Sequence, residues 1–211
     1  KLWATAYKGP AFAKGEIKTE SVTHHNPWGA QGFLFNLRKP LFQDKTLRKA
    51  IGYAFDFEWS NNNLFYGQYK RNRSYFENSD MAATGLPSKA ELALLEPYRD
   101  QLPEEVFTRE YQPPKSDGSG RPRENLRTAQ ELLKAAGYQF REGTLYTPDG
   151  KPVQFEIMLG SPAFERIVLP FSRNLKALGI KANVVTIDSA QYVERLRHFE
   201  FDMVVGRIGQ S

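Results

Sequence analysis

An α/β fold is predicted for this chain of 211 residues, with helices packed on a mixed or parallel sheet. Three observations predict it. From Glu124 onward, segments of alternating apolar residues take turns with segments of helical spacing. The strand-like segments are rich in Val, Ile and Phe. The hydrophobic fraction is 40% and the aromatic fraction 13%, enough for a sizeable core.

The elements run in order. Residues 1–32 are rich in Gly, aromatics and Lys and hold no sustained period, so they predict an irregular or partly extended lead-in. Residues 33–37 (FLFNL) predict a short strand. Asp44 is placed to cap a helix in which Leu47, Ala50, Ile51, Ala54 and Phe55 recur at helical spacing. Asp56 caps a second, short helix that ends near Gly67. Residues 67–122 are the least regular stretch. Within it Ser88 opens a helix through Leu95, and Pro97 and Pro103 break the chain beyond that helix. The run Pro113 to Gly120 is a loop by composition, long enough to be functional or to lie as an arm on the surface.

The pattern sharpens after this loop. Leu126, Ala129, Leu132, Leu133 and Ala136 form one helical stripe closed by Gly137. Residues 145–151 predict a turn between extended segments. Val153, Phe155, Ile157 and Leu159 alternate with Gln154, Glu156 and Met158, the pattern of a strand. Ser161 caps a helix to Leu178, kinked at Pro170 and ended by Gly179. Residues 181–187 predict a second strand. Asp188 caps a helix to His198, and residues 201–205 predict a third strand. Right-handed crossovers then make this β-α-β-α-β tail a parallel sheet.

Composition excludes several chemistries. With no Cys, disulfide scaffolds, thiolate metal sites and cysteine nucleophiles are ruled out. No run of roughly 18 apolar residues is present. Phosphate-loop, GxGxxG and GxSxG patterns are absent. No carboxylate pair for acid/base work stands out; Glu104, Glu105 and Asp100 sit in a polar, solvated stretch. The net charge of +5 is modest, and the basic residues are scattered apart from Lys70-Arg71-Asn72-Arg73 and Arg121-Pro122-Arg123. No enzyme constellation, cofactor or metal site is therefore expected. His24 and His25, adjacent on an extended chain, point to opposite sides and chelate one ion poorly.

Two stretches could hold a ligand. Residues 66–76 (YGQYKRNRSYF) interleave aromatic and basic side chains, which could stack bases and hold phosphates. The same residues also suit a loop whose aromatics anchor it while Lys and Arg stay wet. Residues 24–32 (HHNPWGAQG) set His24, His25, Asn26 and Trp28 among glycines, directly before a strand. Glycines let a ligand approach the backbone, and Trp offers a large apolar face with a polar handle. A plain turn with Trp28 packed in the core fits equally well.

Residues 37–56 read LRKPLFQDKTLRKAIGYAFD, residues 129–138 read AQELLKAAGY, and residues 201–203 read FDM. In this order and spacing they resemble landmarks of the extracytoplasmic solute-binding proteins of ABC transporters, family 5, the oligopeptide and dipeptide class. Residues 64–88 (LFYGQYKRNRSYFENSDMAATGLPS) and 117–133 (DGSGRPRENLRTAQELL) look like the branch serving Yej-type transporters, associated with peptide and microcin C uptake. The resemblance implies a periplasmic binding protein-like fold of class C, in which two lobes close on a ligand. This chain would be the isolated second, ligand-binding lobe. Residues 1–32 would be the lead-in or crossing, 33–122 a first half with a long loop arm, 123–205 the β-α-β-α-β half, and 206–211 the return crossing.

Further expectations come with the resemblance. The partners are a peptide ligand, the membrane permease subunits of an importer and the missing first lobe, with no nucleic acid. The location is periplasmic, with a signal peptide on the missing N-terminal part. The start at Lys1 and the stop just after an apolar run read as a piece cut from a longer protein, with Lys1 and Ser211 close together. Many peptide-binding relatives continue the last strand into a GW..D pattern whose acid pairs with the peptide amino terminus. Residues 206–211 (GRIGQS) have neither the Trp nor the Asp. Arg207 there either suits a carboxylate or phosphate, as a rigid fork of donors, or is a surface arginine in a frayed end. The candidate ligand contacts are Trp28, His24, His25, Asn26 and Arg207, and a nucleic-acid-binding domain using residues 66–76 is the alternative.

Overall fold

The computed structural model describes residues 7–209, so the expected closeness of Lys1 and Ser211 lies outside the described residues. The chain forms two compact units. The larger comprises Lys1–Lys18, Gln31–Tyr69 and Pro114–Gly206; the smaller comprises Thr19–Ala30, Lys70–Pro113 and Arg207–Ser211.

Among the described residues of the lead-in in the larger unit there is one short helix, α1 (Pro10–Ala13), which the lack of period did not reveal. Strand β1 (Ala30–Phe35) starts three residues before the predicted strand and stops before Asn36 and Leu37. The stop has a cause. Asn36 is buried, and its amide group donates to the carbonyls of Phe199 and Phe201 at 2.8 Å each. Helix α2 (Lys45–Tyr53) begins as predicted at Asp44, whose carboxylate accepts from the amides of Thr46 and Leu47. Helix α3 (Phe57–Leu64) is capped by Asp56 through the Trp59 amide at 2.8 Å. Helices α4 (Lys89–Leu95) and α5 (Glu105–Thr108) come next in the chain and belong to the smaller unit.

Helix α6 (Arg123–Ala135) carries the predicted stripe, with Ala129 and Leu133 buried. Strands β2 (Gln139–Arg141) and β3 (Thr144–Tyr146) form an antiparallel hairpin. This corrects the reading of residues 145–151 as a turn. Leu145 and Tyr146 are in β3, and only residues 147–150 turn. Glu142 and Gly143, both at positive φ, close the hairpin. Strand β4 (Gln154–Leu159), helix α7 (Glu165–Ala177), strand β5 (Lys181–Thr186), helix α8 (Ser189–Arg197) and strand β6 (Met203–Ile208) complete the predicted alternation. Ser161 caps a short 3-10 turn that leads into α7, and α7 is continuous through Pro170.

The four-stranded sheet has the order β1-β6-β4-β5. β4 is parallel to β5, from Gln154 opposite Lys181 to Leu159 opposite Thr186, and parallel to β6, with Ile157 opposite Met203. β1 lies beside β6 in the opposite sense: Asn36 bonds Asp202 at one end and Gly29 abuts Ile208 at the other. The sheet is therefore mixed. As the inner strand of parallel pairs, β4 is buried on both faces. Met158, assigned by alternation to the polar side, is fully buried along with Ile157.

The core joins α2, α6, α7 and the sheet through Leu47, Ile51, Leu133, Ile157, Phe171 and Leu175. Each such buried side chain stabilises the fold by roughly 1.5–3 kcal/mol. Four polar contacts then fix the packing. The Tyr138 hydroxyl donates to Asp44 at 2.6 Å, and the Glu156 amide donates to Asp202 at 2.9 Å. Asn174 donates to the carbonyl of Ala54 at 3.0 Å, and the Gly120 amide donates to Asp56 at 2.8 Å.

The smaller unit is built differently. α4 opens on a full capping box between Ser88 and Glu91. A 3-10 segment (Glu96–Gln101) comes directly after it, and Arg99 and Arg109 pair with Glu96 and Glu105 on the surface. Among the described residues of this unit the one buried side chain is Glu77.

Candidate functional site

Every candidate ligand contact named from the sequence lies in the smaller unit. The segment from His24 to Gly29 belongs to no helix, turn or strand, and the strand begins at Ala30. Two adjacent residues hold it. The Asn78 side-chain amide donates to the carbonyls of His24 and Asn26, at 2.9 Å each. The Glu77 carbonyl accepts from the Trp28 amide at 2.9 Å. Asn78 does this from a left-handed conformation, φ 69°, which Asn tolerates better than most residues.

The Glu77 carboxylate is itself fixed. Lys70 Nζ meets Oε1 at 2.8 Å, and the Arg73 amide donates to Oε2 at 3.1 Å. The Lys70 contact, helped by the Arg73 amide, holds this carboxyl below its ordinary range against the opposing effect of burial. A buried carboxylate so paired is a rigid post for the backbone around it.

The structure brings Arg207 to the same place. A Cβ on Gly29 would lie 2.9 Å from the Ile208 carbonyl oxygen and 3.0 Å from Arg207 Nε. Gly29 is thus glycine because β6 and the Arg207 side chain pass directly over it. Arg207 sits within β6, not in a frayed end, and has no ion-pair partner among the described residues. The side chains of His24, His25 and Asn26 are exposed. Trp28 is 37% exposed, so it is not packed in a core as the turn reading allowed. No hydrogen bond engages the amides of His24, His25 and Asn26 among the described residues. The arrangement offers unpaired main-chain donors, one half-covered indole and one unpaired guanidinium.

Sequence reasoning missed Glu77 and Asn78. The signal was the Glu77-Asn78-Ser79-Asp80 run directly after the aromatic and basic cluster, a polar turn composition with an Asn able to take positive φ. The cluster at residues 66–76 does not present open cations in the way phosphate binding needs. Lys70 is paired with Glu77, and Arg73 lies 3.6 Å from Glu110.

The whole described region fits one family. The family model of bacterial extracellular solute-binding proteins, family 5 Middle, matches residues 2–211. The "Putative binding protein BMEII0691" of Brucella melitensis is 42% identical over 99% of this chain and 34% of its own length. The "Probable peptide-binding protein YejA" of Agrobacterium fabrum is 40% identical over 96% of this chain and 34% of its own length. The chain therefore spans about a third of the length of these relatives. Among solved structures, the oligopeptide-binding protein AppA of Bacillus subtilis, in complex with a nonapeptide, superposes with a TM-score of 0.64 at 19% identity. It covers 88% of this chain and 32% of that one. NikZ of Campylobacter jejuni, in complex with Ni(L-His), gives 0.61 at 18% identity, over 88% of this chain and 31% of its own. These two show the fold. None of these likenesses supports the nucleic-acid alternative. With its family landmarks serving as the joints of the larger unit, this chain belongs to the bacterial extracellular solute-binding proteins of family 5.

Proposed function

We propose that the chain is the ligand-facing part of a periplasmic peptide receptor that delivers cargo to the permease of an ABC importer. One observation carries the peptide reading. The His24 to Gly29 segment is held through the His24 and Asn26 carbonyls and the Trp28 amide by Asn78 and Glu77, while the amides of His24, His25 and Asn26 stay unpaired among the described residues. A peptide can bond such a segment as an added strand, whatever its side chains are. Trp28 would supply a tolerant apolar contact, and Arg207 would receive the peptide carboxylate. His24, His25 and Asn26 would contribute main-chain bonds.

The other jaw would be the first lobe, in the part of the relatives this chain does not span. The smaller unit supports this reading, since Val22, Met81, Leu94 and Tyr111 are each more than half exposed and no apolar side chain is buried there among the described residues. Closing two lobes on a ligand would cover such a surface. The ligand shifts that equilibrium only by binding the closed form better. Peptide antibiotics of the microcin C class are the finer cargo suggested by the Yej-like stretches.

Calorimetric titration tests the proposal. A panel of short peptides, a muropeptide and microcin C is titrated into this chain and into the full-length protein. Tight binding by the full-length protein and weak binding by this chain is expected. Equal, tight affinity for both would contradict the two-lobe mechanism, and no peptide binding by the full-length protein would overturn the function. In the full-length protein Arg207→Ala should weaken peptides with a free carboxylate about tenfold and spare amidated ones.

A further inference from the structure

We propose that the larger unit carries an oxyanion site, separate from the peptide segment, that takes a phosphoryl group. The run Arg121-Pro122-Arg123, one of the two basic clusters in the sequence, is not used by the peptide reading. It lies on a groove of about 510 Å³ lined by Trp59, Gly120, Arg121, Arg123, Pro170 and Arg173 among others, with no carboxylate in the lining among the described residues. None of these arginines forms an ion pair among the described residues, although Asp117 lies near enough to Arg123 to feel its charge.

Three further observations make the groove a built one. Pro122 is buried and fixes the backbone between the two arginines. Gly120, at φ +80°, lies against the Trp59 indole, where a Cβ would come within 3.0 Å of Nε1. The Gly120 amide is tied to the buried Asp56 at 2.8 Å, so the loop is anchored from behind. Arg123 also occupies the first turn of α6, where the helix dipole disfavours a cation. An anion in the groove would relieve that conflict.

The chemistry selects the ligand. Guanidinium forks match oxyanions, and three of them with no acid in the lining favour a group of charge −2 or more over a single carboxylate. A free phosphate compound and a phospholipid headgroup share this chemistry. The groove lies within the larger unit and does not depend on the peptide reading.

Pyrophosphate is titrated calorimetrically into this chain at low and moderate salt. In a second arm the chain is mixed with vesicles of phosphatidylglycerol in phosphatidylcholine and with phosphatidylcholine alone. Saturable binding in either arm, weakened about tenfold by Arg121→Gln and by Arg173→Gln, is expected. Arg127→Gln should leave it unchanged, because Arg127 lies outside the groove lining and is paired with Glu124. Binding of pyrophosphate alone assigns a soluble ligand; binding of anionic vesicles alone assigns a headgroup. In the unaltered chain the Trp59 indole N–H resonance should shift on titration with whichever of the two ligands binds, a readout that needs no variant to fold. No binding in either arm, equal weakening by Arg127→Gln, or an unmoved Trp59 signal would overturn the proposal.

Discussion

At the scale of single residues, Glu77 governs the smaller unit by giving its backbone carbonyl to Trp28 and its carboxylate to Lys70 and Arg73. Glu77→Gln removes the charge with little change of shape and should cost roughly 1.5–3 kcal/mol, as for a hydrogen bond to a charged group. The pH dependence has a definite sign. The carboxyl is held below its ordinary value of 4.5, so its contribution is fully present above that value. It is lost as pH falls through the lower value of the folded state. Urea unfolding of both proteins across this range should show the difference shrinking to nothing in acid; a constant difference would place the effect elsewhere. Gly29→Ala tests the close approach of β6. Its Cβ would meet a main-chain oxygen at 2.9 Å, so backbone must shift and Arg207 must move. The melting temperature should fall, and peptide affinity in the full-length protein should fall with it.

At the scale of elements, four helix starts were legible because a cap is a local contact, whereas Ser161 caps the 3-10 turn ahead of α7 and not α7 itself. Asp44, Asp56, Ser88 and Asp188 all accept backbone amides of the helices they were assigned to. Tyr138 had no such local signature, yet its hydroxyl ties the link between α6 and β2 to the cap of α2. Burial pushes the Asp44 carboxyl up, but hydrogen bonds from Tyr138, Thr46 and Leu47 outweigh that and hold it below its usual range. Burial, with Asp44 beside it, pushes the Tyr138 phenol well above its usual range. Asp44→Ala should cost about 1–2 kcal/mol as a lost cap. Tyr138→Phe should cost about 1 kcal/mol. Because the two share one bond, the double variant should lose less than the sum, read from a denaturant double-mutant cycle. Additive losses would mean the bond contributes nothing.

At the scale of the whole molecule, the two units differ in what stabilises them. The larger buries a continuous apolar cluster, whereas in the smaller the one buried side chain among the described residues is a paired carboxylate. Hydrogen exchange should therefore be slow in β4, β5 and α7 and fast in α4 and α5. In the full-length protein, addition of a bound peptide should slow exchange around His24 to Trp28. Exchange as slow in α4 as in β4 would show that the smaller unit has a stability its own burial does not account for.

The sequence by itself determined the alternation of strands and helices, the caps and most of the core stripe, because periodicity and capping are written within a few residues of chain. It also placed Trp28, His24, His25, Asn26 and Arg207 as candidates, though from position and not from contacts. Only the tertiary structure decided that Met158 is buried on an inner strand, that Asn78 reaches back 52 residues to hold Asn26, and that Arg173 joins Arg121 and Arg123 on one groove. These contacts join residues far apart in sequence, and no local pattern encodes which distant partner a polar side chain meets once the core has closed.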